Sequence, residues 1–187
     1  MLFNEKKAAQ TAAFFTFSAG GKINVLKLMK LMYLAEREAF LRYGEPIIGD
    51  MMVSMPNGPV LSMSYDCTAT GGKDPLGWEN WISDRAGYEI GLQKHISDPF
   101  LELRELSQAD FDVLQSIWDA FGGFTQWQLV EYTHDSCPEW EDPKGSSAGI
   151  PIERLLKALG YCPDDRQALE SRLEEHEMIG RVLSHAH

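Results

Sequence analysis

The sequence predicts an α+β fold: a mainly helical single domain with a small antiparallel β-sheet or hairpin. Three observations carry that prediction. Apolar residues recur at helical spacing in several separate runs. Ile47 to Met55 alternates with a period near two, and Trp78 to Leu92 places two aromatic and branched runs around the turn residues Asp84 to Gly87. A chain of 187 residues, 44% hydrophobic and 24% charged, is long enough and apolar enough for one ordinary globular core.

Asn4 to Ser18 is the first helical pattern, with Ala8, Ala12 and Phe15 on one side and Gly20-Gly21 after its end. Lys22 to Tyr43 is the second and the longest. Its apolar stripes, Val25, Leu28, Met32, Ala35 and Ala39 beside Leu26, Met29, Tyr33 and Phe40, form an arc too wide for a surface helix. The reading therefore puts this helix in the core, with Lys27, Lys30, Arg37 and Glu38 as a strip facing water. Tyr43-Gly44 closes it, and Pro46 prevents its continuation.

Ile47 to Met55 reads as a short strand or extended segment, Pro56 to Pro59 as a sharp turn, and Val60 to Ala69 as a short helix. Thr70 to Gly77 is a loop. Asn80 to Ser83 and Tyr88 to Leu92 are expected to pair as a hairpin. Ser107 with Asp110 caps an amphipathic helix carrying Phe111, Leu114, Ile117, Trp118 and Phe121. Thr125 begins another, which runs to His134. Pro151 opens a helix with Ile152, Leu155, Leu156 and Leu159. After Gly160 the chain turns highly charged, and Leu169, Leu173, Ile179 and Leu183 form only a thin apolar line. Residues 1–160 are read as the domain and 161–187 as a charged C-terminal helical extension.

The formal net charge is −11. Residues 1–45 hold seven Lys or Arg against four Asp or Glu, and the remainder ten against twenty-four, so +3 and −14. An acidic surface works against phosphate binding, which disfavours nucleic acid as a partner and suits a basic protein. Cys67, Cys137 and Cys162 are odd in number and without paired spacing, which argues against a disulfide framework. With no signal-peptide pattern and no apolar run near the roughly 20 residues a membrane span needs, a cytoplasmic protein is expected.

Catalytic spacing is weak throughout. His134 and Cys137 lie three apart near Asp135 and Glu139, the one pairing that resembles a metal pair or a thiol with its base. A zinc site needs three or four ligands, and no second pair matches. His134 is read as a structural ring held by a hydrogen bond near its helix end, and Cys137 as a small incidental residue. Neither GxxxxGK[ST] nor GxGxxG occurs, so phosphate cradles lack support. His185 and His187 are read as tail residues. The five tryptophans are assigned to core packing, with Trp140 the exception because it lies in a loop beside Pro138. No enzyme activity, cofactor or metal is expected.

One ordered set of motifs points further. KINVLKLMKLMYLAERE, then Gly58-Pro59-Val60 after a short extended segment, then Glu131-Tyr132-Thr133-His134 with Pro138 and Trp140 following, and finally the Pro151-Ile152 helix, resembles the Panacea domain of SocA-like antitoxins, whose members include phage-associated proteins. The likeness spans residues 5 to 160. It implies a mainly helical domain with a small antiparallel sheet, encoded beside a toxin that it neutralises by direct protein–protein binding. One member acts instead as an adaptor that delivers its toxin to a protease, so an adaptor or scaffold without a cognate toxin is the alternative. Thr133 and His134 carry the structural motif. Contact with the partner is expected at Asp50, Met51, Met52, Met55, Gly58, Pro59, Pro138 and Trp140, since methionines repack against varied surfaces. The oligomeric state stays open.

Overall fold

The computed structural model describes residues 2–184. Eight α-helices and two small antiparallel sheets are formed among them, so the chain is the mainly helical α+β domain that its periodicity predicts. None of the described helices is long and apolar enough to cross a membrane.

Helix α1 (Glu5–Ser18) begins where the Asn4 side chain accepts from Lys7 N at 3.0 Å. Gly20 and Gly21 follow with φ of +86° and +97°, a region that glycine enters without strain. That turn changes the next expectation. Lys22–Asn24 is a strand, β1, and α2 occupies Val25–Tyr43 only. Asn24 ends the strand and caps the helix, accepting from Leu26 N and Lys27 N. Leu28, Leu31, Met32, Tyr33 and Phe40 of α2 have no exposed surface, and the helix packs on α1, on α5 (Gln108–Phe121), on α6 (Gln126–Ser136) and on β3 (Gly58–Leu61). Each such side chain contributes about 1.5–3 kcal/mol on burial, so α2 is the spine of the core. Its polar strip is the main correction. Lys30 is 0% exposed, while Lys27, Arg37 and Glu38 are half-buried; Glu36, outside the expected strip, is 1% exposed. The β2–β3 hairpin covers Lys30, whose amine donates to Pro59 O, and the segment 47–49 covers Glu36.

The extended segment is β2 (Met52–Met55), paired with β3 in a hairpin through Val53 and Val60. The expected helix from Val60 starts later, as α3 (Ser62–Thr70), because residues 58–61 complete the hairpin and Asp50 then accepts from Met63 N and Ser64 N at the helix start. On its other side β2 meets β5 (Ala148–Gly149). The hairpin expected at 80–92 forms over a short stretch: Ser83 N donates to Gly91 O at 2.9 Å, Gln93 N to Trp81 O at 2.8 Å, and Ala86 and Glu89 pair across the turn. Trp78–Asn80 is a 3-10 turn, the first arm survives as an Ile82–Leu92 bridge, and β4 (Glu89–Gly91) pairs with β1. Trp78 and Trp81, 2% and 7% exposed, bury the start of that arm in the core, so the two arms pair over only a few residues.

A short helix α4 (Pro99–Glu102), not signalled by periodicity, precedes α5. The predicted cap of Ser107 with Asp110 is present as a capping box, and a second box, Thr125 with Gln128, starts α6 at the helix start expected there. Helix α7 (Ile152–Ala158) leads into α8 (Pro163–Ser184). The near half of α8 docks on the body: Leu173 is buried, and Arg172 donates to Gly44 O at 3.0 Å. Beyond it Met178, Ile179 and Val182 are exposed. His185 and His187 lie outside the described residues.

Candidate partner-binding site

The motifs that are scattered along the sequence meet in space. Lys30, Tyr33 and Arg37 follow one another at helical steps of three and four, so α2 presents all three on one face. Opposite them stands the end of α6 with the loop after it. Glu139, 0% exposed, accepts through Oε1 from Tyr33 Oη at 2.6 Å and from Arg37 Nε at 2.7 Å. Lys30 Nζ donates to Pro59 O at 2.7 Å. Gly58 packs against the same amine and the Thr133 hydroxyl so closely that a Cβ there would come within 2.8 Å of Lys30 Nζ and 2.7 Å of Thr133 Oγ1. With φ at +91° the position suits glycine twice over.

His134 and Trp140 complete this arrangement. Their rings stack at 4.0 Å and 12°, and Trp140 Nε1 donates to Met55 O at 3.0 Å. The His134 ring is therefore held by stacking, and the expected hydrogen bond is absent among the described residues; burial and the nearby Lys30 charge both lower its pKa. Cys137 is 1% exposed, and burial, aided by Glu139, pushes its thiol up to about 12. At neutral pH it is a thiol, not the thiolate that nucleophilic chemistry requires. Among the described residues there is no group of three or more His, Cys, Asp or Glu able to hold a metal. What the cluster does is mechanical: it pins the β2–β3 hairpin to α2 and α6.

Burial also lowers the Lys30 ammonium from 10.5 to about 7. Below pH 7 the amine is protonated whether the chain is folded or not, and the cost of burying its charge is fully present. Between about 7 and 10.5 the folded state has lost the proton and the unfolded state keeps it, so stability rises with pH across that window. Lys30→Met is expected to remove this rise, on the order of 5 kcal/mol in full. Urea midpoints of both proteins at pH 6, 8 and 10 check it, and parallel pH profiles would contradict it.

The pinned hairpin forms one wall of a groove of about 600 Å³. Val25 and Met29 of α2 and Val60 of β3, all buried, supply its floor; Asn57 at the hairpin tip and Gln126 at the start of α6 supply neutral polar groups. On its rim stand Trp127, 61% exposed, and Tyr88, 77% exposed, with Arg85 beside them. Exposed aromatics and arginine around an apolar floor are the residue types that dominate binding energy at protein interfaces.

The residues expected to touch a partner divide. Asp50, Met52, Gly58 and Pro59 are buried, with Asp50 engaged at the start of α3. Met51 is exposed and Met55 half-exposed, and Met55 and Gly58 line the groove. Pro138 is exposed and Trp140 half-exposed, both on the loop that braces the hairpin from behind. Thr133 is buried beneath Gly58. Trp127 and Tyr88 were missed. For Trp127 a signal existed: Leu129 and Thr133 set the inward phase of α6, and a residue two before Leu129 falls on the far side.

The chain is thus a helical domain built on a buried spine, with a polar cluster bracing a hairpin and an apolar groove at its surface. A sequence model described as antitoxin SocA-like, Panacea domain, matches residues 28–141. The chain is a member of that family. No curated protein and no solved structure matches it.

Proposed function

We propose that this protein is an antitoxin that neutralises a protein toxin encoded by the adjacent gene, by burying part of the toxin's surface in the groove at the hairpin. Membership of the family over residues 28–141 carries this reading. The exposed Trp127 and Tyr88 support the location, since an isolated domain gains nothing from such aromatics in water. All three cysteines are free, which suits action in the reducing cytoplasm. No step of this function requires a reacting group; burying surface is sufficient.

Expression of the neighbouring gene alone, and then with this chain, tests the proposal. Growth arrest by the neighbour, relieved by co-expression and accompanied by co-purification, is the expected result. A harmless neighbour that does not co-purify would overturn it. A second reading, an adaptor or scaffold such as one that passes a client to a protease, draws on the exposed Met178, Ile179 and Val182 of α8. They lie beyond the part of α8 that docks near Gly44, at the opposite end of α2 from the groove, and an adaptor needs two separate surfaces.

A further inference from the structure

We infer that the groove receives an acid-flanked apolar segment of its protein partner: an aliphatic or aromatic side chain on the floor, with a carboxylate beside it meeting Arg85. The inference rests on the antitoxin reading for the existence of a protein partner, and adds the chemistry of the segment bound.

Charge distribution is the first argument. The chain carries 28 Asp and Glu, yet none lines this groove, whereas four further depressions on the surface each hold at least one carboxylate. A carboxylate-free apolar concavity on a protein of net charge −11 is a local exception, and Arg85 is its one charged lining residue.

The state of Arg85 is the second. Its Nε donates to Gly87 O at 2.7 Å and its guanidinium lies 5.9 Å from the centroid of the Tyr88 ring, so the side chain is oriented while its terminal nitrogens have no ion pair among the described residues. A planar fork held in this way is suited to a carboxylate. The floor then sets what accompanies the acid. Met29, Val25 and Val60 offer only apolar surface, and the flexible thioether of Met29 adapts to side chains of different shape. Trp127 on the rim adds an exposed aromatic face for the seated side chain.

Fluorescence polarisation with three labelled peptides of equal length tests this against the full chain. One has a leucine and phenylalanine core flanked by glutamates, the second the same core flanked by lysines, and the third glutamate flanks around alanines. The first is expected to bind saturably and at least tenfold more tightly than the others, although whole-molecule charge favours the lysine peptide. Arg85→Glu should reverse the order, and Trp127→Ala should weaken the first peptide at least tenfold, both variants keeping the wild-type circular dichroism and urea midpoint. Equal or tighter binding of the lysine peptide overturns the inference, as does absence of saturable binding or insensitivity to both substitutions. A single-stranded oligonucleotide that displaces the peptide at equal concentration would make the groove a phosphate site instead, and overturns it too. If the peptide order fails while the neighbouring gene product is still bound by the wild-type chain, the groove chemistry is wrong and the antitoxin reading stands. If the neighbour is neither toxic nor bound, the antitoxin reading fails whatever the peptides do.

Discussion

Glu36→Ala is expected to cost about 4–6 kcal/mol of stability, enough to unfold a domain of ordinary stability in part at 37 °C. Glu36 is 1% exposed, and its carboxylate accepts from Ile47 N at 2.9 Å, Ile48 N at 3.0 Å and Gly49 N at 2.8 Å. These N–H groups belong to the segment that leaves α2 and returns toward β2. Truncation leaves three buried donors without an acceptor, each costing about 1–3 kcal/mol. Burial outweighs the three donors and raises the Glu36 carboxyl from 4.5 to about 7. In that window the folded chain holds a proton that the unfolded chain has released, so this residue makes stability fall as pH rises from 4.5 to 7. Glu36→Gln keeps an acceptor and removes the titration, so it should lose less and flatten that fall. Urea denaturation of both variants from pH 4.5 to 8 decides the matter; a loss below 1 kcal/mol for the alanine variant would show that the loop holds itself.

Glu139→Ala should cost about 3–4 kcal/mol for a different reason. A buried charge pair contributes little net stability when intact, but removing one partner strands the other. Arg37, with 19% of its side chain exposed, would lose its acceptor, and the Tyr33 hydroxyl, at 0% exposure, would lose its own. Burial, the largest cause of the phenol's raised pKa, persists in the variant, so the hydroxyl stays protonated and needs an acceptor. Tyr33→Phe, which removes one neutral donor, should cost only about 1 kcal/mol. A double-mutant cycle between the two positions should give a coupling of about 1 kcal/mol or more, and strict additivity would place the two side chains outside one network.

These polar positions mark where reading the sequence stops. The wide apolar arc of α2, the caps at Asn24, Ser107 and Thr125, and the turn at Pro56-Asn57 are local, and local chemistry foretells them, although Gly58 and Pro59, expected in that turn, already belong to β3. Whether Lys30 and Glu36 face water depends on what covers α2 all round, and periodicity carries no information about a second layer. Glu36 finds its donors eleven to thirteen residues later, in a loop whose Gly49 takes φ of +74°. Glu139 finds Tyr33 across 106 residues. The same limit applies to the hairpin expected at 80–92: its arms do pair, through Ile82 and Leu92, but the pairing of the second arm with β1, far back in the chain, carries no local signal. At the groove, the motif residues Gly58 and Met55 were visible from sequence, while Tyr88, Arg85 and Trp127 are joined to them only by tertiary folding.

The central claim is that this fold works by holding a protein partner in the groove between the hairpin tip, α2 and α6. Titration calorimetry of the purified neighbouring gene product against the wild-type chain and against Trp127→Ala measures it directly. The account predicts a one-to-one complex for the wild type and at least a tenfold loss of affinity for the variant, a hot-spot effect of about 1.4 kcal/mol or more, with both proteins equally stable in urea. An equally tight complex with Trp127→Ala would place the partner elsewhere on the molecule and contradict it.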